Sequence, residues 1–174
     1  MKSYRLSELD GLRGIAALAV VLYHYIYHYN NLYSHAFPVP SFVQLGVYGV
    51  NLFFMISGFV IYWTISRSDQ PFDFIFSRFS RLFPVYWCSV ILTFTVVYFA
   101  SLPGREQDLF TLLVNLSMIQ EYLGFSHIDG VYWTLSLELA FYFWITVILF
   151  FKQLKNIEKI LIVWVIAGAL LTLT

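Results

Sequence analysis

"LDGLRGIAALAVVLYHY", Leu9 to Tyr25, is the stretch on which the fold turns. From Leu12 onward it is a run of small and branched apolar residues of membrane-helix character, yet Arg13 stands at one end and His24 eleven residues later. Eleven residues at 3.6 per turn amount to about 1,100° of rotation, or about 20° from eclipsed, so both groups share one face about 16 Å apart along the axis. A permanent cation and a titratable imidazole inside lipid each require a partner or a task.

The rest of the chain agrees with a membrane reading. Of 174 residues, 60% are hydrophobic, 21% aromatic and 11% charged. That is too apolar for a soluble domain of this length. A formal net charge of zero gives no reason to expect a nucleic-acid partner. One cysteine, Cys88, excludes an internal disulfide. The first apolar stretch lacks a small-residue cleavage site, so it reads as a retained span and not as a signal peptide. Neither linker nor repeat divides residues 1–174, which read as a single integral-membrane domain. Because the chain stops at Thr174 within the apolar stretch Ile160–Leu173, it reads as truncated at the carboxyl end.

A span needs about 20 mostly apolar residues. Leu12–Tyr29, Leu45–Ile65, Leu82–Leu102 and Val131–Phe151 satisfy that, and Ile160–Leu173 is a fifth, cut-off candidate. Leu109–Ile119 reaches only about 16 Å as helix, half a membrane, and reads as re-entrant or interfacial. The expected fold is therefore all-α: a polytopic transmembrane helix bundle of about five spans plus one short re-entrant or interfacial helix. Lys2 and Arg5 precede the first span, Arg67, Arg78 and Arg81 crowd the second loop, and Tyr27–Val43 carries no charge. The positive-inside rule then puts the amino terminus in the cytoplasm, and a re-entrant 109–119 returns Lys152, Lys155 and Lys159 to that side.

Glu138, in "VYWTLSLELAFYFW", is flanked by leucines and aromatics and must face a bundle interior or a wet cavity. Helical rise places it about 10 Å below the outer surface, at a depth similar to that of His24. At that depth the carboxylate can orient the imidazole; a charge pair that only fixes packing is the plainer alternative. Arg78 and Arg81 in "FSRFSRLFPVYW" stand at i,i+3 and offer two planar forks suited to phosphate, or alternatively anchor the helix at the cytoplasmic surface. Pro84 reads as a first-turn residue that starts the following span. Arg13 admits the same anchoring alternative. In "GVYGVNLFFMISGFVIYW", Asn51 and Gly58 share a face, and Gly46, Gly49 and Ser57 give small surfaces for tight helix packing.

Other chemistries find little support. His24 and His28 at i,i+4 lack a third ligand, so no metal site is expected. Neither a phosphate-binding glycine loop nor a serine nucleophile elbow is present. Asn115-Leu116-Ser117 matches a glycosylation triplet but falls at membrane depth and is discounted.

Together these motifs resemble a known family. "LDGLRGIAALAVVLYH", "NLFFMISGFVI", "RFSRLFPVYW" and "VYWTLSLELAFYF" are similar, in this order, to the first-helix, second-helix, Arg-x-x-Arg and Trp-(Ser/Thr)-Leu-x-x-Glu segments of the membrane-bound acyltransferase 3 family of surface-polysaccharide O-acetyltransferases. The resemblance covers the amino-terminal half of that family's usual domain. It implies an acyl-CoA co-substrate, usually acetyl-CoA, no bound cofactor, and a hydroxyl acceptor on a glycan, in a bacterial inner membrane. It also implies His24 as catalytic histidine, with Arg13 and Glu138 beside it and Arg78 and Arg81 binding the donor. Asp10 would cap the first helix or pair with Arg13, and Asn51, Ser57, Trp133 and Ser136 are candidate oxyanion donors. A homo-oligomer or a separate carboxyl-terminal half would complete the bundle. The rival readings are a proton-coupled carrier of an anionic solute and an inactive truncated relative.

Overall fold

The computed structural model describes residues 7–66, 70–100 and 106–172. Every regular element among them is helical. Lys2, Arg5, Arg67, Leu102, Leu173 and Thr174, on which parts of the sequence reading rest, lie outside the described residues. The chain forms two compact units, Met1–Arg67 and Ser68–Thr174. Among the described residues, four helical segments are long and apolar enough to cross a membrane: Glu8–Tyr33, Ser41–Ile65, Pro71–Ala100 and Gly130–Phe150. The protein is an all-α membrane helix bundle.

In the first unit, α1 (Ser7–Leu22) passes without a break into a π-helical stretch, Tyr23–His28, and then into α2 (Tyr29–Tyr33). A 3-10 stretch, Ser41–Tyr48, leads into α3 (Gly49–Ile65). Small residues set how these segments pack. A Cβ on Gly49 would meet the Ala16 carbonyl oxygen at 2.6 Å, and one on Gly46 would come closer still to that of Ala19. With Arg13 over the ring of Phe53 at 4.8 Å, the two segments are in antiparallel register. Gly46 and Gly49 thus permit the close backbone approach expected of them.

In the second unit, α4 (Pro71–Ala100) is one 30-residue helix, followed by α5 (Leu109–Asn115), α6 (Trp133–Phe150) and α7 (Ile157–Thr172). Pro84 lies inside α4, which corrects its reading as a helix start. Pro71 holds that position, where a missing N–H costs nothing. Pro84 leaves one carbonyl a turn earlier without its amide, a loss that membrane helices tolerate. α7 is described over 16 residues, Ile157–Thr172.

α5 is seven residues long, about 10 Å, too short to cross. Its end reaches the midpoint of α4: Tyr86 Oη donates to the Asn115 carbonyl at 2.7 Å and Trp87 Nε1 to that of Leu116 at 2.9 Å. The irregular backbone that follows is satisfied internally. Asn115, fully buried, donates to the carbonyls of Thr111 at 2.9 Å and Ser126 at 3.0 Å, and its Oδ1 accepts from the Ile128 amide at 3.1 Å. Tyr86, Val90, Met118, Ile128 and Tyr132 form the core around it. Non-helical backbone at such depth persists only when protein satisfies it in this way.

Candidate active site

His24 is half-buried within the π-helical stretch. Its Nδ1 lies 2.9 Å from the Val20 carbonyl oxygen. A carbonyl can only accept, so Nδ1 carries the proton in this bond and Nε2 is the nitrogen left outside it. The main chain therefore orients the imidazole through Nδ1. Tyr23 meets the imidazole edge-on at 5.2 Å, and the His28 ring follows at 6.0 Å. His28 itself is exposed. His35 closes this end of the span by donating from Nε2 to the carbonyls of Ile26 and Tyr25 at 3.0 and 3.2 Å.

Register within the first unit separates His24 from two candidate oxyanion donors. Since Gly46 faces Ala19, Gly49 faces Ala16 and Phe53 faces Arg13, Asn51 stands about 14 Å and Ser57 about 22 Å from the level of His24 along the axis. Both belong to the Arg13 end. Asn51 is exposed, whereas Ser57 is buried with a hydroxyl that has no hydrogen-bond partner among the described residues. Asp10 stands inside the first turn of α1 and not at its cap.

The second unit brings Arg78 and Glu138 together, which the sequence reading had set at opposite depths. Glu138 is buried on α6 and accepts a hydrogen bond from the hydroxyl of Tyr142, one turn onward. Arg78 lies over that tyrosine ring at 5.9 Å and over Phe74 at 5.4 Å. Ring contacts between Phe72 and Phe150 and between Tyr86 and Tyr132 fix the antiparallel register of α4 and α6 that makes this possible. The two arginines of the Arg-x-x-Arg motif are not equivalent: Arg78 is half-buried and Arg81 exposed. Arg78 borders a cleft of about 520 Å³ and is its only charged lining residue among the described residues, which do not include Arg81 in the lining. Trp133 is exposed, and Ser136 is fully buried with its hydroxyl committed to the Met118 carbonyl at 3.1 Å. No cluster of metal-binding side chains occurs among the described residues.

Sequence reasoning passed over Tyr142 and Val20. Tyr142 had a usable signal, since a phenol four residues after an intramembrane carboxylate lies on the same helical face. Val20 had none, because a carbonyl acceptor carries no side-chain signature.

A family profile described as an acyltransferase domain matches residues 6–174. The chain belongs to this acyltransferase family. Curated relatives include the acyltransferase MdmB of Streptomyces mycarofaciens, 28% identical over 94% of this chain and 44% of the relative. The peptidoglycan O-acetyltransferase OatA of Listeria monocytogenes is 30% identical over 95% of this chain and 28% of its own length. An O-acetyl transferase of Shigella phage Sf6 is 31% identical over 76% of this chain and 43% of its own. The chain thus spans less than half of each of these three acyltransferase relatives. No solved structure matches it.

Proposed function

We propose that this acyltransferase-family chain carries the catalytic histidine and the donor-binding arginine of a membrane O-acyltransferase. The acyl group, acetyl in the simplest case, moves from acyl-CoA to a hydroxyl of a cell-surface glycan. The observation that carries the reading is the state of His24: Nδ1–H is held by the Val20 carbonyl, leaving Nε2 as an oriented base. Nε2 takes the proton of the acceptor hydroxyl while the oxygen attacks the thioester carbonyl. The C–S bond then breaks, and the imidazolium returns the proton to the departing thiolate. Arg78 offers its guanidinium to an anionic or carbonyl oxygen of the donor at the mouth of the cleft. Family membership supports a bacterial inner-membrane location, and loop charges support a cytoplasmic amino terminus. The glycan acceptor draws support from relatives named for peptidoglycan and exopolysaccharide. Spans from a carboxyl-terminal half or from a second copy would complete the bundle.

The test is transfer of label from acetyl-CoA to glycan in vesicles. His24→Ala should lower the transfer rate at least a hundredfold while leaving CoA binding intact. Transfer at the wild-type rate would remove His24 as the base, and proton-coupled uptake of an anion without acyl transfer would establish the carrier instead.

A further inference from the structure

Glu138 and Arg78 are joined through a side chain to which acyl transfer assigns nothing. Tyr142 is buried on α6, its hydroxyl donates to Glu138 and its ring lies under Arg78 at 5.9 Å. Phe74 meets that ring edge-on at 5.9 Å and 89° and shares the guanidinium at 5.4 Å, so the phenol is clamped. A guanidinium that rests on aromatic faces keeps its N–H edge for other partners. Arg78 Nε is buried and makes no hydrogen bond among the described residues. Phe74, Arg78 and Tyr142 stand at the wall of the cleft of about 520 Å³, where Phe79, Leu82, Leu139 and Phe143 are apolar and Arg78 is the only charge among the described lining residues.

We propose that Tyr142 is the positioning residue of this site, with separable duties: its ring sets the plane of Arg78, and its hydroxyl sets the Glu138 carboxylate. The proposal rests on the acyl-transfer reading for what the site does, and on the contacts above for who holds whom. Ring and hydroxyl can be removed one at a time. Tyr142→Phe keeps the ring and loses the donor, whereas Tyr142→Leu loses both.

The experiment measures the Kd for tritiated CoA and kcat for label transfer from acetyl-CoA in the same vesicles, with thermal unfolding to check folding. Tyr142→Phe should hold CoA within twofold of wild type and lower kcat about tenfold. Tyr142→Leu should lower kcat similarly and weaken CoA at least fivefold. Wild-type kcat in Tyr142→Phe, or equal weakening of CoA by both variants, would overturn the division. Vesicles of the wild-type chain that neither bind CoA nor transfer label would refute the acyl-transfer reading alone. Double-mutant cycles in thermal unfolding would then decide the positioning claim. Tyr142→Phe and Glu138→Gln should be non-additive, as should Tyr142→Leu and Arg78→Gln, while Tyr142→Phe and Arg78→Gln should add. Any other pattern overturns it.

Discussion

Gly46 and Gly58 look alike in sequence, both set among aromatic and branched residues, and their surroundings separate them. A Cβ on Gly46 would run into main-chain oxygen of Ala19, which cannot swing aside, whereas a Cβ on Gly58 meets nothing within 4 Å. Gly46→Ala should therefore destabilise the first unit by about 1–3 kcal/mol as the segments are forced apart. Gly58→Ala should be neutral or gain up to about 1 kcal/mol from helix propensity. Thermal unfolding in detergent compares them directly, and equal effects would dissolve the distinction. Asn115 teaches the complementary lesson. Its triplet context suggested glycosylation and its membrane depth dismissed that, but its hydrogen bonds, from the side chain to Thr111, Ser126 and Ile128 and at the carbonyl from Tyr86 and Met118, became visible only once the chain had folded. A hub is defined by its neighbours in space, and a linear pattern contains few of those.

At the scale of elements, sequence located the four spans because apolar length is a property of the chain alone. It misread where α4 begins, since Pro71 and Pro84 are both acceptable first-turn prolines and hydropathy favoured the later one. Hydropathy likewise could not see the π and 3-10 windings, which change residues per turn without changing composition. Asp108 is an element boundary that does carry its own signal. It caps α5 by accepting the Thr111 amide at 2.8 Å. Hydrogen bonding from Thr111, side chain first and main chain second, holds its carboxyl below the ordinary carboxylate range. A depressed folded-state value means that the cap's contribution is present above about pH 4 and is lost as the pH falls through the folded value. Protection of the Thr111 amide against hydrogen exchange should accordingly decline on acidification below pH ~4. Asp108→Asn, which does not titrate, should flatten that decline, and an unchanged pH dependence would show that something else holds the helix.

For the whole molecule, the four candidate spans among the described residues, with a seven-residue α5 too short to add another, predict that the segment after α6 lies on the same side as the amino terminus. With the exposed Cys88 replaced by serine, Lys155→Cys should resist an impermeant maleimide in intact cells and react in inverted vesicles. Glu106→Cys should behave the opposite way. Reaction of both positions from outside would mean that α5 crosses; reaction of Lys155→Cys alone would reverse the orientation.

The π-helical stretch at Tyr23–His28 has a consequence in genetic terms. A π turn differs from an α turn by one residue, so the widened coil beside His24 is equivalent to a single codon inserted into an otherwise regular span. Losing or regaining such a codon rotates everything beyond it by about 100° while leaving α1, its glycine contacts and Arg13 where they are. One in-frame triplet at this point would thus re-aim the residues beyond it without rebuilding the half of the helix that packs.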